Sequence, residues 1–469
     1  MKPMRRQRSE SVLALLRDAR QARKRGMSVI ARQQRHRLAD LVAFARANSP
    51  YYQELYQGLP EHIADVTLLP VTSKQQLMSR FADWVTDRDV TLAAVQAVVE
   101  TPERIGEPFL GKYTVATTSG TTGTRGIFLL DKRSLRVTSV LALRMLSDWL
   151  TAGDVLRIII GRGRLAMVMA TGGHFASTVA SARLRRRFPK GVLALSAHMP
   201  LPELVARLNR FRPALLTPYA SMAALLASEQ EAGRLHIDPV LMILSAEGLA
   251  LPEYDRIARA FHAKVRHSYA ATECPFLSYS CAENWLHVNS DWVILEPVDA
   301  AYHPTPPGTQ SHTVLITNLA NRVQPILRYD LGDSVLQRVD PCPCGNPLPA
   351  IRVQGRAADV LTFPTTQGSH VAVVPLAFGN VMDRTAGIEL WQIVQTAPTQ
   401  LRVRLRVAAD TEPESVWQTV RTDLTRLLAD HGLDQVTLAR AAESPEQSPG
   451  GKYREVIPLN RRSMTGHAP

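Results

Sequence analysis

Four cysteines in 469 residues are too few, and the chain too long, for a disulfide framework. No apolar run approaches the roughly 18 to 20 residues needed to span a bilayer. The apolar stretch Val12–Leu16 is broken by Arg17 and is far too short for the hydrophobic part of a secretory leader. The sequence lacks G-x-x-x-x-G-K-[ST], which excludes a P-loop kinase. It also lacks internal repeats, low-complexity segments and the basic-aromatic interleaving of nucleic-acid modules, so no nucleic-acid partner is expected. These absences describe a cytoplasmic chain with no transmembrane segment, long enough for one large and one small domain.

Acid is in deficit, with 42 Asp and Glu against 55 Lys and Arg, and the imbalance is local. Residues 1–50 hold thirteen Lys/Arg against Glu10, Asp18 and Asp40, which places 13 − 3 = +10 of the net +13 in a basic helical N-terminus. Such a segment suits an acidic partner, while a solvated helical face is the simpler reading.

From about 154 to 272, apolar β-rich runs alternate with helical patterns: Val155–Ile160, Ala214–Thr217, Val240–Leu244 and Val265–Tyr269 as strands, with Pro202–Phe211, Ala220–Glu229 and Pro252–Phe261 as helices. This βαβ alternation predicts a parallel sheet covered by helices, with ligands at the strand C-terminal ends. From 288 to 354 the texture shifts to short strands with turn signals, predicting a small β-barrel-like subdomain. Past a hinge at Arg352–Asp359, Leu390–Val394 and Leu401–Val407 pair across a short loop before a helix over Pro413–His431. The expected fold class is α/β: a large N-terminal domain (1–355) with parallel βαβ sheets, and a small mobile α+β C-terminal domain (356–469).

Thr118-Ser119-Gly120-Thr121-Thr122-Gly123 is a hydroxyl- and glycine-rich hexapeptide. Glycine lets backbone N–H groups turn toward an anion and Ser/Thr add short donors, so the loop suits polyphosphate without a lysine. Alone it is more often a flexible turn. It is followed in order by Tyr269–Glu273, Tyr329–Asp333, Gly355-Arg356 and Gly450-Gly451-Lys452. This ordered set resembles the adenylate-forming superfamily. Asn48-Ser49-Pro50-Tyr51-Tyr52 and Leu69-Pro70-Val71-Thr72-Ser73-Lys74 resemble its phenylacetate–coenzyme A ligase-like branch, with landmarks from about residue 35 to the C-terminus.

The resemblance implies ATP-dependent activation of a small carboxylic acid to an acyl-adenylate, then transfer to a thiol of coenzyme A or of a carrier-protein phosphopantetheine. By resemblance Thr118–Gly123 cradles the β- and γ-phosphates, Thr272 contacts phosphate and Glu273 holds Mg²⁺. Ser245, Ala246 and Glu247 lie along the adenine, Tyr269 stacks on it, Asp333 takes both ribose hydroxyls, and Arg356 belongs to the nucleotide set. A carboxylate suits the ribose because it accepts from two vicinal hydroxyls at once. Asp330 is read as a turn or salt-bridge residue instead. Lys452, on the small domain, is the catalytic residue, donating to the incoming carboxylate and the α-phosphate, so catalysis requires domain closure. A charged residue is usual where Ala358 stands in the hinge, and Asp359 is its nearest substitute.

Cys342 and Cys344 sit in Pro341-Cys342-Pro343-Cys344-Gly345, a tight loop that points two thiols together. With Cys281 and His287 they make a Cys₃His set of the kind that holds structural zinc, and similar positions recur in the branch. Cys274 is read as packing. By resemblance the acid pocket is lined by His174, Phe175 and Tyr219, whose rings suit an aryl or flat unsaturated acid. The competing readings are acyl transfer to an amine, adenylyl transfer to a cofactor, and an inactive nucleotide-binding scaffold. An acidic acyl carrier protein and a second copy in a dimer are the protein partners compatible with the sequence.

Overall fold

The computed structural model describes residues 11–118, 126–169, 171, 173–245, 248–249, 251–356, 359–364, 370–373, 375–382, 384–409, 411–446 and 453–459. Five strands, Leu165–Met169, Val192–Ser196, Leu215–Pro218, Leu241–Leu244 and Lys264–Tyr269, form the expected parallel sheet. Leu165 faces both Val192 and Leu215 across it. Runs such as Leu241-Met242-Ile243-Leu244 are apolar without alternation because helices cover the sheet. Ala220–Glu231 and Leu251–Phe261 are two of these crossovers, and Leu201–Phe211 buries Leu204, Val205 and Leu208.

Val155–Ile160 is not a strand. It is the body of a helix, Ala152–Ile160. The Thr151 hydroxyl accepts from the Asp154 N–H while Asp154 Oδ2 accepts from the Thr151 N–H at 2.7 Å, a capping box that starts a helix where the β-branched run alone is ambiguous. The strand of this unit is Leu165–Met169.

Residues 288–354 are antiparallel, as expected, and divide between two sheets. Val293–Val298, Thr313–Asn318 and Ile326–Asp330 form a three-stranded sheet. Ser278–Ser280, Leu286–Val288, Ala350–Arg356 and Asp333–Gln337 instead continue the parallel strands into one nine-stranded sheet. The antiparallel edge thereby delivers Asp333 beside the C-terminal end of Lys264–Tyr269.

Part of the basic N-terminus is committed to the fold. In the Met27–Asn48 helix, Arg37 donates to the Asp291 carbonyl and to Asp18 and lies 3.6 Å over the Trp292 ring, which Arg133 approaches from 5.0 Å. Arg46 donates to the carbonyls of Tyr56, Leu59 and Pro60. These guanidinium groups satisfy main-chain acceptors at turns, where no ladder does so.

Beyond the hinge, Ile388–Ala397 and Gln400–Val407 form the expected hairpin, with Ala397 facing Gln400 at its tip. The Pro413–Asp430 helix buries Val416, Val420, Leu424 and Leu428 against it. Among the described residues no helix is long and apolar enough to cross a membrane.

Candidate functional site

The phosphate-loop candidate lies between two paired antiparallel strands. Strands Tyr113–Thr117 and Ile127–Leu130 pair with Thr117 opposite Ile127, and the loop's ends are tied by Thr118 N–H to Gly126 O (3.0 Å) and Gly126 N–H to Thr118 Oγ1 (2.8 Å). A Cβ on Gly126 would lie 2.4 Å from the Phe128 ring, so any side chain here would have to displace that ring. Ser119, Gly120, Thr121, Thr122 and Gly123 lie outside the described residues, as do Ala246, Glu247 and Lys452.

The hairpin sits against the parallel sheet. The Thr117 N–H donates to the His174 carbonyl at 2.6 Å, and Phe175 bridges Thr117 just before the Ala176–Arg187 helix. Tyr219 bridges Ser245 in the same way, past the ends of Leu215–Pro218 and Leu241–Leu244. His174, Tyr219 and Ser245 therefore share the C-terminal end of the sheet, with His174 and Tyr219 buried.

The two downstream motifs are cross-linked reciprocally. Tyr269 OH donates to Asp333 Oδ2 at 2.7 Å, and Tyr329 OH donates to Glu273 Oε1 at 2.8 Å. Each motif thus lends its tyrosine to the other's carboxylate. Glu273 is only 4% exposed and Asp333 9%, depths at which carboxylates need partners. Burial first, then the Glu273 charge, raises the Tyr329 hydroxyl far above its ordinary value, so it remains a donor. Thr272 is half-buried in the bend preceding Glu273.

Sequence reading did not assign two of the residues that hold this arrangement. Tyr329 stands in the sequence only as part of a motif, although the four-residue Tyr-to-carboxylate spacing in both motifs is the signal that pairs them. Asn318 Nδ2 donates to the Glu273 carbonyl at 3.0 Å, and nothing local in sequence announces it. Thr72, from the branch-like N-terminal motif, pairs with Tyr329 and exchanges main-chain hydrogen bonds with Arg328 and Asp330. Asp330 serves the turn, accepting from Thr313 Oγ1 and from the Gly332 N–H. The main chain of Arg356 pairs with Asp333.

Around the terminal loop, Arg454 pairs with the hinge residue Asp359, its carbonyl accepts from Gln392 Nε2 at 2.8 Å, and the Ile393 N–H donates to the Glu455 carbonyl at 2.7 Å. The chain that follows position 452 is thereby fixed to the Ile388–Ala397 strand.

The Cys/His set converges as expected. The ligand atoms of Cys281, His287, Cys342 and Cys344 all lie within 4.8 Å of one another, with Cys281 Sγ 3.7 Å from Cys342 Sγ and Cys344 Sγ 3.2 Å from His287 Nε2. His287 Nδ1–H donates to the Leu348 carbonyl at 2.8 Å, leaving Nε2 as the lone-pair nitrogen facing the thiols. These separations match the edges of a tetrahedron with bonds of about 2.0 to 2.3 Å, so the donor set fits zinc. Cys274 lies apart, with burial pushing its thiol up to about 12, consistent with packing.

One buried base, His267, faces Leu244 across the sheet. Burial first, then Arg266 and Arg352, pulls His267 down to about 4, and its ring stacks at 5.0 Å on Tyr254. The unfolded chain takes up this proton near 6.5 and the folded chain only near 4. The stabilisation is therefore whole above about pH 6.5 and is lost as pH falls toward 4, by roughly 3 kcal/mol. His267→Gln is expected to flatten this acid limb in urea unfolding between about pH 6.5 and 4.5. Equal acid losses in both proteins would contradict it.

The chain matches no protein-family model and no curated protein. Solved structures do match. A 2-hydroxyisobutyryl-CoA ligase in the postadenylation state, in complex with R3-HIB-AMP, superposes with a TM-score of 0.64 and 20% identity over 92% of this chain and 89% of that one. The fold is that of the adenylate-forming ligases. The same ligase in an open conformation with 2-HIB-AMP and CoA gives 0.54, and in the thioesterification state 0.51, again at 20% identity.

Proposed function

We propose that the protein is an AMP-forming acid–thiol ligase, similar to the phenylacetate–coenzyme A ligase branch, built from a large domain (1–355) and a small one (356–469). The observation that carries this is the reciprocal Tyr269–Asp333 and Tyr329–Glu273 pairing. It holds two carboxylates side by side at a sheet's C-terminal end, one suited to ribose hydroxyls and the other to a divalent cation.

Joining a carboxylate to the α-phosphate gathers negative charge on five-coordinate phosphorus as pyrophosphate leaves, so donors must surround all three phosphates. Thr118–Gly123 and Thr272 take the phosphates, Ser245, Ala246, Glu247 and Tyr269 the adenine, Asp333 the ribose, with Arg356 beside it. Lys452 donates to the carboxylate and the α-phosphate as their charges merge. Glu273 is the residue that holds Mg²⁺, which neutralises phosphate charge when bound. His174, Phe175 and Tyr219 wall a pocket for an aryl or unsaturated acid, and the acyl group passes to the thiol of coenzyme A or of a carrier-bound phosphopantetheine. A structural zinc sits on Cys281, His287, Cys342 and Cys344.

Pyrophosphate release should depend on one class among a panel of carboxylic acids, and thioester should form with coenzyme A or a carrier protein. Nucleotide binding without acid-dependent pyrophosphate release from any acid would instead favour the scaffold reading.

Tyr329→Phe removes the hydroxyl that orients Glu273 without changing ring packing. Loss of such a partner commonly weakens metal binding by about 10- to 100-fold, so the Mg²⁺ concentration for half-maximal activity should rise by that order. Lower activity at an unchanged Mg²⁺ midpoint would reduce Tyr329 to a packing role.

A further inference from the structure

The Ala152–Ile160 helix is firmly anchored yet bare on one face. The Asp154 carboxylate that caps it pairs with Lys264 at the start of the Lys264–Tyr269 strand, and Lys264 Nζ also donates to the Trp149 carbonyl at 3.3 Å. The Lys264 and Thr151 hydrogen bonds pull Asp154 well below the usual carboxylate range. Val155, Leu156, Ile159 and Ile160 nevertheless stand exposed, Ile159 at 66% and Ile160 at 73%. Their spacing puts them on one helical face, and a contiguous apolar stripe on an anchored helix is unlike singly scattered exposed residues.

Beside this stripe lies a concavity of about 580 Å³ whose wall includes Ile160 itself, Arg157, Arg164, Arg212, His236 and Asp238. Arg157 pairs with Asp238 at 3.1 Å. Arg164 Nε is buried with no hydrogen-bond partner among the described residues. One carboxylate against three guanidinium groups leaves the concavity positive. Arg164, Ala214 and Val240 immediately precede three parallel strands, so this surface is at the sheet's N-terminal end. It is a strand length of about 15 Å or more from the candidate site at the other end.

We infer that the stripe and the concavity together form a docking surface for an acidic amphipathic segment of a partner protein, apolar side on the Ala152–Ile160 helix and carboxylates on Arg157, Arg164 and Arg212. Charge decides among occupants. Residues 1–10 hold Lys2, Arg5, Arg6 and Arg8 against Glu10, and 460–469 hold Arg461 and Arg462 with no acid, so neither segment complements an arginine rim. A second copy in a two-fold contact would set arginine against arginine. A bilayer would accept the apolar stripe but cannot fill a concavity. The position at the far end of the sheet makes the occupant a tethering or regulatory partner, not an acyl acceptor, and the inference does not rest on the catalytic reading.

The test uses the full chain and a labelled synthetic helix of about four turns with Leu on one face and Glu on its flanks, beside the same helix with Lys for Glu. The Glu peptide should bind saturably and photocross-link within 155–164 or at Arg212 and His236, with the Lys peptide at least about 30-fold weaker. Ile159→Ser with Ile160→Ser, and separately Arg164→Glu with Arg212→Glu, should each weaken the Glu peptide at least about 10-fold, the second pair restoring the Lys peptide. The isoleucine variant should keep the wild-type melting temperature, since both side chains are exposed, and in the arginine variant the restored Lys-peptide binding itself reports a folded surface. Equal binding of both peptides overturns the proposal. So does binding to phosphatidylglycerol vesicles in place of the peptide that is lost in the isoleucine variant, which assigns the face to a membrane. Self-association in sedimentation that this variant abolishes overturns it in favour of a second copy.

Discussion

Lys452→Ala is expected to lower acid-dependent pyrophosphate release by about 10²- to 10³-fold, the usual effect of deleting one donor that stabilises developing charge. Thiol transfer from a supplied acyl-adenylate should be largely retained, because on the proposed reading this ammonium serves only the step in which the carboxylate attacks the α-phosphate. Lys452 lies outside the described residues, but the chain following it is pinned: Tyr453 OH donates to the Trp391 carbonyl, and Val456-Ile457 joins the Ile388–Ala397 strand in parallel. The lysine is thus carried by a compact unit with its own apolar core, and a movement of that unit carries it whole. The test is to measure both half-reactions in the one variant. Equal losses in each would mean that the lysine is not withdrawn between them and would count against a domain swing.

The second large effect is expected from zinc. Residues between Gln337 and Ala350 join two antiparallel strands without forming one, so little main-chain pairing ties this loop down. Cys342 and Cys344 would tie it to Cys281 and His287 at the Ser278–Ser280 and Leu286–Val288 strands. Zinc binding at such a set supplies on the order of 10 kcal/mol, which becomes folding free energy where the empty site is loose. One zinc per chain should survive purification without chelator. Cys281→Ser and Cys342→Ser should each lose the metal and melt at markedly lower temperature, and any protein still folded should keep its Mg²⁺ dependence. Metal analysis returning no zinc from wild-type protein would end the proposal.

What was legible in the sequence followed from local rules. Three of the five parallel strands are legible because a sheet covered on both faces needs unbroken apolar runs, as in Leu241–Leu244, whereas Leu165–Met169 and Val192–Ser196 are not among those read from the sequence. The thiol pair announced itself because proline and glycine confine Pro341–Gly345. Val155–Ile160 misled for the converse reason. Three consecutive isoleucines favour a strand by composition, and the decision lay with Thr151 and Asp154, whose capping box precedes the run. Asn318 beneath Glu273 and Thr72 beside Tyr329 were not legible, because long-range pairing sets these contacts and leaves no periodic trace.

The reciprocal tyrosines bear on how a nucleotide would be received. Asp333, buried and awaiting two ribose hydroxyls on the proposed reading, already accepts from the Tyr269 hydroxyl. Binding then becomes an exchange of one hydroxyl for others, with little carboxylate left to strip of water. The phenol released from that bond belongs to the ring expected to stack on the base. On the proposed reading, sugar recognition and ring placement become one event, with the tyrosine a stand-in ligand that vacates its place when the nucleotide arrives.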